Sequence, residues 1–329
     1  MTTRRKMLLT LGVGALAWKD ITIGQSQAAP ILIAWLNTGS RESSGHFFIG
    51  FRERLAALGW KVGPQFQIEE RWVEGKYDRL QALAEELAAK KPAVIVAGPL
   101  QSVVAAAKAA PKIPIVQADG GDLVMVGLAA SLARPGGMVT GLTNIAGEIA
   151  EKQLELLLEV SPKLRRVGFL SDPGNLNLPR MMEAVRRSLA AKSTIKAYFA
   201  EATRPEQIEP AISRLAREGA QALVVLKSAM FRVEQGRIAK LVLARRWPAV
   251  TEESALAEAG LLLSYGHDPL QNYRRAAYFV DRILKGAKPG ELPIEQPTII
   301  ELVVNLKTAK ALGIKLPQSI LVRADRVIE

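Results

Sequence analysis

Short apolar runs alternate with amphipathic helical stretches along almost the whole chain, and the series runs through twice. Ile31–Leu36 reads as a buried strand. Phe51, Leu55 and Leu58 fall on one side of a helix over 47–58, and the even spacing of Phe66, Ile68 and Trp72 predicts a strand over 65–73. Leu80, Leu83, Ala84 and Leu87 return to helical spacing, and strands at 93–97 and 113–117 flank a helix at 100–110. Past the turn signal Arg134–Gly137 and the short run 139–142, a helix at 147–160 opens the second series. Its strands are expected at 167–170, 195–199, 222–226 and 261–264, with helices at 178–191, 205–217 and 231–246. Repeated strand–helix–strand units build parallel sheets covered by helices on both faces. The fold class expected is therefore α/β, with two Rossmann-like lobes joined near 140–146. The tail (helix 269–285, strand 298–304, helix from Asn305) is too short for a third such unit. It is expected to cross back, giving a first lobe of 29–143 plus about 267–329, a second of 144–266, and a hinge of several crossovers.

The first 28 residues stand apart from this pattern. Arg4, Arg5 and Lys6 precede the apolar stretch Met7–Ala17, and Ser26-Gln27-Ala28 offers small residues at the two positions read by a signal peptidase. This is the layout of a secretory signal peptide, and the apolar stretch falls short of the roughly 20 residues a spanning helix needs. Thr3–Leu8 resembles the twin-arginine export motif, with Met7 where Phe is usual. A Sec signal and a retained anchor are the alternatives. The mature chain is expected in the periplasm, touching a membrane only through a permease or an uncleaved signal.

Losing 1–28 removes four cations and one carboxylate, so the net charge of +12 falls to about +9. The surplus is spread in pairs such as Arg165-Arg166, Arg186-Arg187 and Arg245-Arg246, without zinc-finger spacing or an aromatic RNP stretch, so nucleic-acid binding is not expected. The chain has no cysteine, which excludes disulfides, thiolate metal sites and cysteine nucleophiles. His46 and His267 are the only histidines, and no HExxH, GxSxG or phosphate-loop motif is present. Gly12–Ala17 matches a dinucleotide fingerprint but lies inside the signal with no strand before it. Adjacent carboxylates such as Glu252-Glu253 diverge from one another and make poor acid–base pairs. Neither an enzyme nor a metal or cofactor is expected.

Binding residues are sought instead in the loops beyond the carboxyl ends of the strands, where open parallel sheets collect ligands. The loop 37–45 offers Asn37, Ser40, Ser43 and Ser44, with Ser43 or Ser44 as helix N-cap and a helix N-terminus suited to a carboxylate. The remaining candidates are Gly98 and Pro99, Asp119 and Asp122, Asp172, Lys227, Glu252, and Tyr265 near the crossover as a ring surface. Trp35 is assigned to the core, and His46 to solvent at a helix start.

Val126–Asn144, Leu263–His267 with Tyr273–Ala277, and above all Val280–Thr298 continuing through Glu301–Gly313 to Arg323–Ile328 resemble the TrpX-like group of ABC-transporter substrate-binding proteins. The resemblance covers nearly the whole mature chain. It implies a type I periplasmic-binding-protein fold with three crossovers, a small-molecule ligand in the cleft, amino acids and aromatic ones among the class, and an ABC permease with its ATPase as partners. The chain departs from that group at Gln117–Asp122, where Leu123 replaces a usual Pro, and at Lys227–Met230. The expected function is capture of a small anionic or zwitterionic solute, aromatic or amino-acid-like, by a monomer whose lobes close on it. A ligand-sensing partner of a membrane receptor or kinase would share this fold and compartment, and an α/β enzyme would need a catalytic group that the motifs do not supply.

Overall fold

A computed structural model describes residues 29–329; the expected leader, 1–28, lies outside the described residues. The first series comprises β1 (Ile31–Asn37), α1 (Arg41–Ala57), β2 (Phe66–Trp72), α2 (Leu80–Ala89), β3 (Val94–Gly98), α3 (Leu100–Ala109), β4 (Ile115–Gln117) and β5 (Val139–Gly141). Its strands form one parallel sheet in the order β2-β1-β3-β4-β5. The second series runs α4 (Ala146–Val160), β6 (Arg166–Ser171), α5 (Leu178–Ala190), β7 (Lys196–Glu201), α6 (Ile208–Arg217), β8 (Ala222–Val225), α7 (Ala229–Val233), α8 (Gln235–Ala244), β9 (Ala249–Thr251), α9 (Ser254–Ala259) and β10 (Leu263–Gly266). The tail supplies α10 (Pro269–Leu284), β11 (Glu301–Asn305), α11 (Leu306–Leu312), α12 (Gln318–Arg323) and β12 (Arg326–Ile328).

The second sheet has the order β12-β11-β10-β9-β8-β6-β7, parallel except where β11 runs against β10. This divides the tail that the sequence placed whole in the first lobe. Helix α10 does return there, packing along α1. From Glu301 onward the chain belongs to the second sheet, and Leu302, Val304, Ala309 and Ile320 sit in the second lobe's core. The chain thus changes lobe three times: between β5 and α4, between β10 and α10, and again before β11. At the hinge the first and third passages hydrogen-bond to each other, Thr143 N to Glu295 O at 2.9 Å and Glu295 N to Gly141 O at 2.9 Å.

Both lobes are three-layered. Strands buried on both faces appear in sequence as unbroken apolar runs, as in β3 and β8. On one face of the first sheet, α1 and α10 enclose Trp35, whose ring lies 5.2 Å from Phe48 and 5.3 Å from Tyr273. Burying each such side chain contributes about 1.5–3 kcal/mol. Trp35 is a core residue, as its place inside β1 requires. The single helix expected over 231–246 is two, α7 and α8, meeting at Glu234. No helix among the described residues is long and apolar enough to cross a membrane.

Candidate functional site

Parallel strands put all their carboxyl ends on one edge of a sheet. Here those edges face each other, so the loops after β1, β3 and β4 meet the loops after β6, β8, β9 and β10. The loop after β1 opens α1 with Ser40 as N-cap, correcting the expectation of Ser43 or Ser44. Ser40 holds extended backbone and its Oγ accepts from Ser43 N at 3.0 Å, while Ser43 Oγ accepts from Ser40 N at 3.2 Å. This reciprocal pair fixes the first turn. Asn37 donates through Nδ2 to Tyr273 Oη at 2.7 Å and accepts from Gly39 N at 2.8 Å, which commits its side chain to the first lobe. Gly98 leaves room for the Tyr273 hydroxyl, which a Cβ would approach to 2.7 Å, and Pro99 precedes α3.

Three of the expected charge contacts converge. Lys227 Nζ donates to Asp119 Oδ2 at 3.2 Å and to Glu252 Oε1 at 3.0 Å, joining the first lobe to the second. All three side chains are buried. Burial alone would raise the Asp119 carboxyl, but the charge of Lys227, followed by His267, holds it well below the usual carboxylate range. Burial alone would lower Lys227, and Asp119 and Glu252 instead hold it above the ordinary ammonium value. Asp119 is therefore ionised and can only accept, so His267 Nε2 carries the proton on their 2.7 Å contact. His267 Nδ1 then lies 3.3 Å from Glu252 Oε1 without a hydrogen bond, and Glu252 Oε2 is also unpartnered.

A second buried pair was missed by sequence reasoning. Arg232, in α7, donates to Glu253 from Nε at 2.8 Å and from Nη2 at 2.5 Å. Its third nitrogen lies 3.5 Å from Ser44 Oγ, and its guanidinium 5.0 Å from the Phe47 ring centre, both in the opposite lobe. Desolvation would raise Glu253, yet Arg232 holds it below its ordinary value. Glu252 and Glu253 do diverge, each to its own cation. His46 is exposed at the start of α1, as expected, with its ring beside Phe47; partial desolvation there, with Arg232 nearby, lowers its pKa.

Asp172 stands differently. Its Oδ2 accepts from Ser228 Oγ at 2.5 Å and from Tyr77 Oη at 3.1 Å, and its Oδ1 from Gly174 N at 2.8 Å. Among the described residues no cationic side chain pairs with it, and burial pushes its carboxyl up. Tyr77 belongs to the first lobe, so this too is a contact across the cleft. Gln101 adds another, donating Nε2 to Gly174 O at 2.9 Å. Asp122 lies at the rim, where Arg180 of the second lobe reaches it at 3.2 Å. Tyr265 is not brought to the cleft: it packs against the second lobe's core, and its carbonyl accepts from Gln153. Between the lobes, beside Asp119, Lys227 and Arg232, remains a cavity of about 10 Å³, room for about one water.

Two doubly wound lobes on a triple crossover, with opposed charges meeting in the seam, define a two-lobed solute-binding protein. Residues 38–328 match the family described as ABC transporter substrate binding protein, and the chain belongs to it. A tyrosine-binding protein of Clostridioides difficile (strain R20291) is 24% identical over 266 residues, 81% of this chain and 76% of that protein. The solved structure of an ABC domain from Streptococcus pneumonia in complex with L-Trp is 24% identical, covers 91% of this chain and 100% of its own, and superposes with a TM-score of 0.83. The ligand-free, open structure of a substrate-binding protein with adhesive properties from Clostridium difficile is 23% identical, covers 91% of this chain and 99% of its own, and gives a TM-score of 0.64. Family and relatives are binding proteins, so this chain is not an enzyme.

Proposed function

We propose that this chain is the periplasmic receptor of an ABC importer and that it captures an α-amino-acid-like zwitterion by closing its lobes about the hinge. The observation that carries this is the meeting of cations and carboxylates from facing loops: Lys227 and Arg232 beside Asp119, with Asp172 close by and lacking a cation. Admitting the solute requires the lobes to part from this one-water gap, which separates Lys227 from Asp119. The solute carboxylate is then matched by the two cations of the second lobe, and its ammonium by Asp172. The same loops carry Asn37, Ser40, Ser43, Ser44, Gly98, Pro99, Asp122 and Glu252, which frame or brace the site. The higher TM-score to the L-Trp complex than to the open structure supports a closed arrangement here. Ligand contacts that exist only when both lobes touch the solute shift the population toward closure. The loaded form is then handed to a permease and its ATPase. The twin-arginine-like leader Thr3–Leu8 supports export in the folded state, and a monomer suffices for the cleft.

Thermal-shift screening of the amino acids tests this reading: one or more should raise the melting temperature, and none doing so rejects it. Replacing Asp172 by Asn should abolish that shift. It should leave the unliganded melting temperature unchanged or higher, because a buried charge without a cationic partner is removed.

A further inference from the structure

The cavity between the lobes offers no ring surface. Its uncharged lining is made of amides and a hydroxyl, Gln101, Asn144, Asn175, Asn177 and Ser228, with only Pro99 and Ala229 as apolar neighbours. The aromatic rings behind the first-lobe loops are already occupied. Tyr273 stacks on Phe47 at 4.8 Å and 11° and lies 5.3 Å from Trp35, with its hydroxyl held by Asn37. Tyr77 is held by Asp172, and its ring presses on Gly174 so closely that a Cβ there would lie 2.5 Å away.

One fully buried polar atom in this lining is left without a partner. Gln101 is buried, its Nε2 donates across the cleft to Gly174 O, and its Oε1 accepts nothing. The carbonyl opposite fixes which end of the amide is oxygen, because the flipped amide would set oxygen against oxygen. An unpaired buried acceptor costs stability unless a donor reaches it.

Resting on the amino-acid reading above, we propose that the solute ends in a short hydrogen-bonding group, a carboxamide or hydroxyl, and not in an aromatic ring, and that Gln101 Oε1 accepts from that group. A ring pressed against this lining leaves its amides desolvated and unpaired, whereas a polar end satisfies them. Sites built to pair with a polar group reject analogues that lack it far more strongly than apolar pockets reject a misfit. Gln101 then sets specificity, while Asn175 shapes the lining: its Nδ2 donates to Lys227 O at 2.6 Å and its Oδ1 accepts from Asn177 N at 2.9 Å.

Isothermal titration of the full-length protein with L-asparagine, L-glutamine, L-serine, L-alanine, L-tyrosine and L-tryptophan tests this. One of the three polar amino acids should bind at least tenfold more tightly than either aromatic one. Gln101→Leu should weaken that ligand at least tenfold while changing L-alanine less than threefold. Tyrosine or tryptophan as the tightest ligand overturns the inference and leaves the amino-acid reading intact. An equal loss for alanine in Q101L also overturns it, by reducing Gln101 to a latch between lobes. Binding of no amino acid rejects the underlying reading and this inference with it. Gln101→Met serves if Q101L does not fold, and the panel on the unaltered protein decides selectivity in either case.

Discussion

Gly174 sits at a tight contact between the two lobes, against the ring of Tyr77, and a single methyl group there should hold them apart. Its carbonyl accepts from Gln101, its N–H caps Asp172, and a Cβ built on it would lie 2.5 Å from Tyr77 Cδ2 and 2.6 Å from Cε2. The ring cannot slide away freely, because its hydroxyl is held by Asp172 at 3.1 Å. Gly174 is not among the residues with positive φ, so alanine suits the backbone. Its Cβ would also lie 3.1 Å from Asp172 Oδ1 in the same lobe, a smaller strain shared by both forms, and most of the penalty falls on the closed form. Overpacking of this kind costs about 1–3 kcal/mol, which converts to a roughly 5- to 140-fold loss in the closing equilibrium. If only the closed form grips the solute, affinity falls by the same factor. Small-angle scattering of Gly174→Ala should show a larger radius of gyration than the unaltered protein at equal ligand concentration, with titration giving the weaker binding. An unchanged radius and affinity would refute the reasoning, as would a structure with the lobes shut over an undisturbed Tyr77.

Lys227→Met should cost about 3–5 kcal/mol in urea unfolding, because it leaves Asp119 and Glu252 buried without their cation; adding Asp119→Asn should recover part of the loss, and strict additivity would show that the pair is not coupled. Asp119 and Glu253 have folded pKa values below their ordinary ones, so their contribution is present above about pH 4.5 and is lost as the pH falls below that. Unfolding free energy should therefore decline from pH 5 to pH 3, and the decline should shrink in Asp119→Asn.

The two sheets could be read from the chain because each strand carries its own signal. β3 and β8 are apolar runs, and the helices between them keep their spacing. Position then followed from topology: Asp119, Lys227 and Glu252 lie far apart in sequence, yet each follows a parallel strand, and parallel strands deliver their ends to one edge. Arg232 escaped notice because it falls inside helical spacing, where an arginine reads as a solvated face; only the opposing lobe buries it. His267 was set aside for want of a metal partner, although it directly follows the strand that ends at the crossover. Tyr265 shows the converse. It neighbours the cleft in sequence, but side chains alternate along β10 and its own points into the core. The pairing of β11 with β10 was beyond reach, since nothing local in 301–305 tells which sheet edge is free.

That last pairing leaves Ile31 opening a strand of one lobe and Ile328 closing an edge strand of the other. Fluorescent domains fused at either end would ride on separate bodies. Energy transfer between them would report each capture and release directly, giving a sensor for the solute without labelling any internal position.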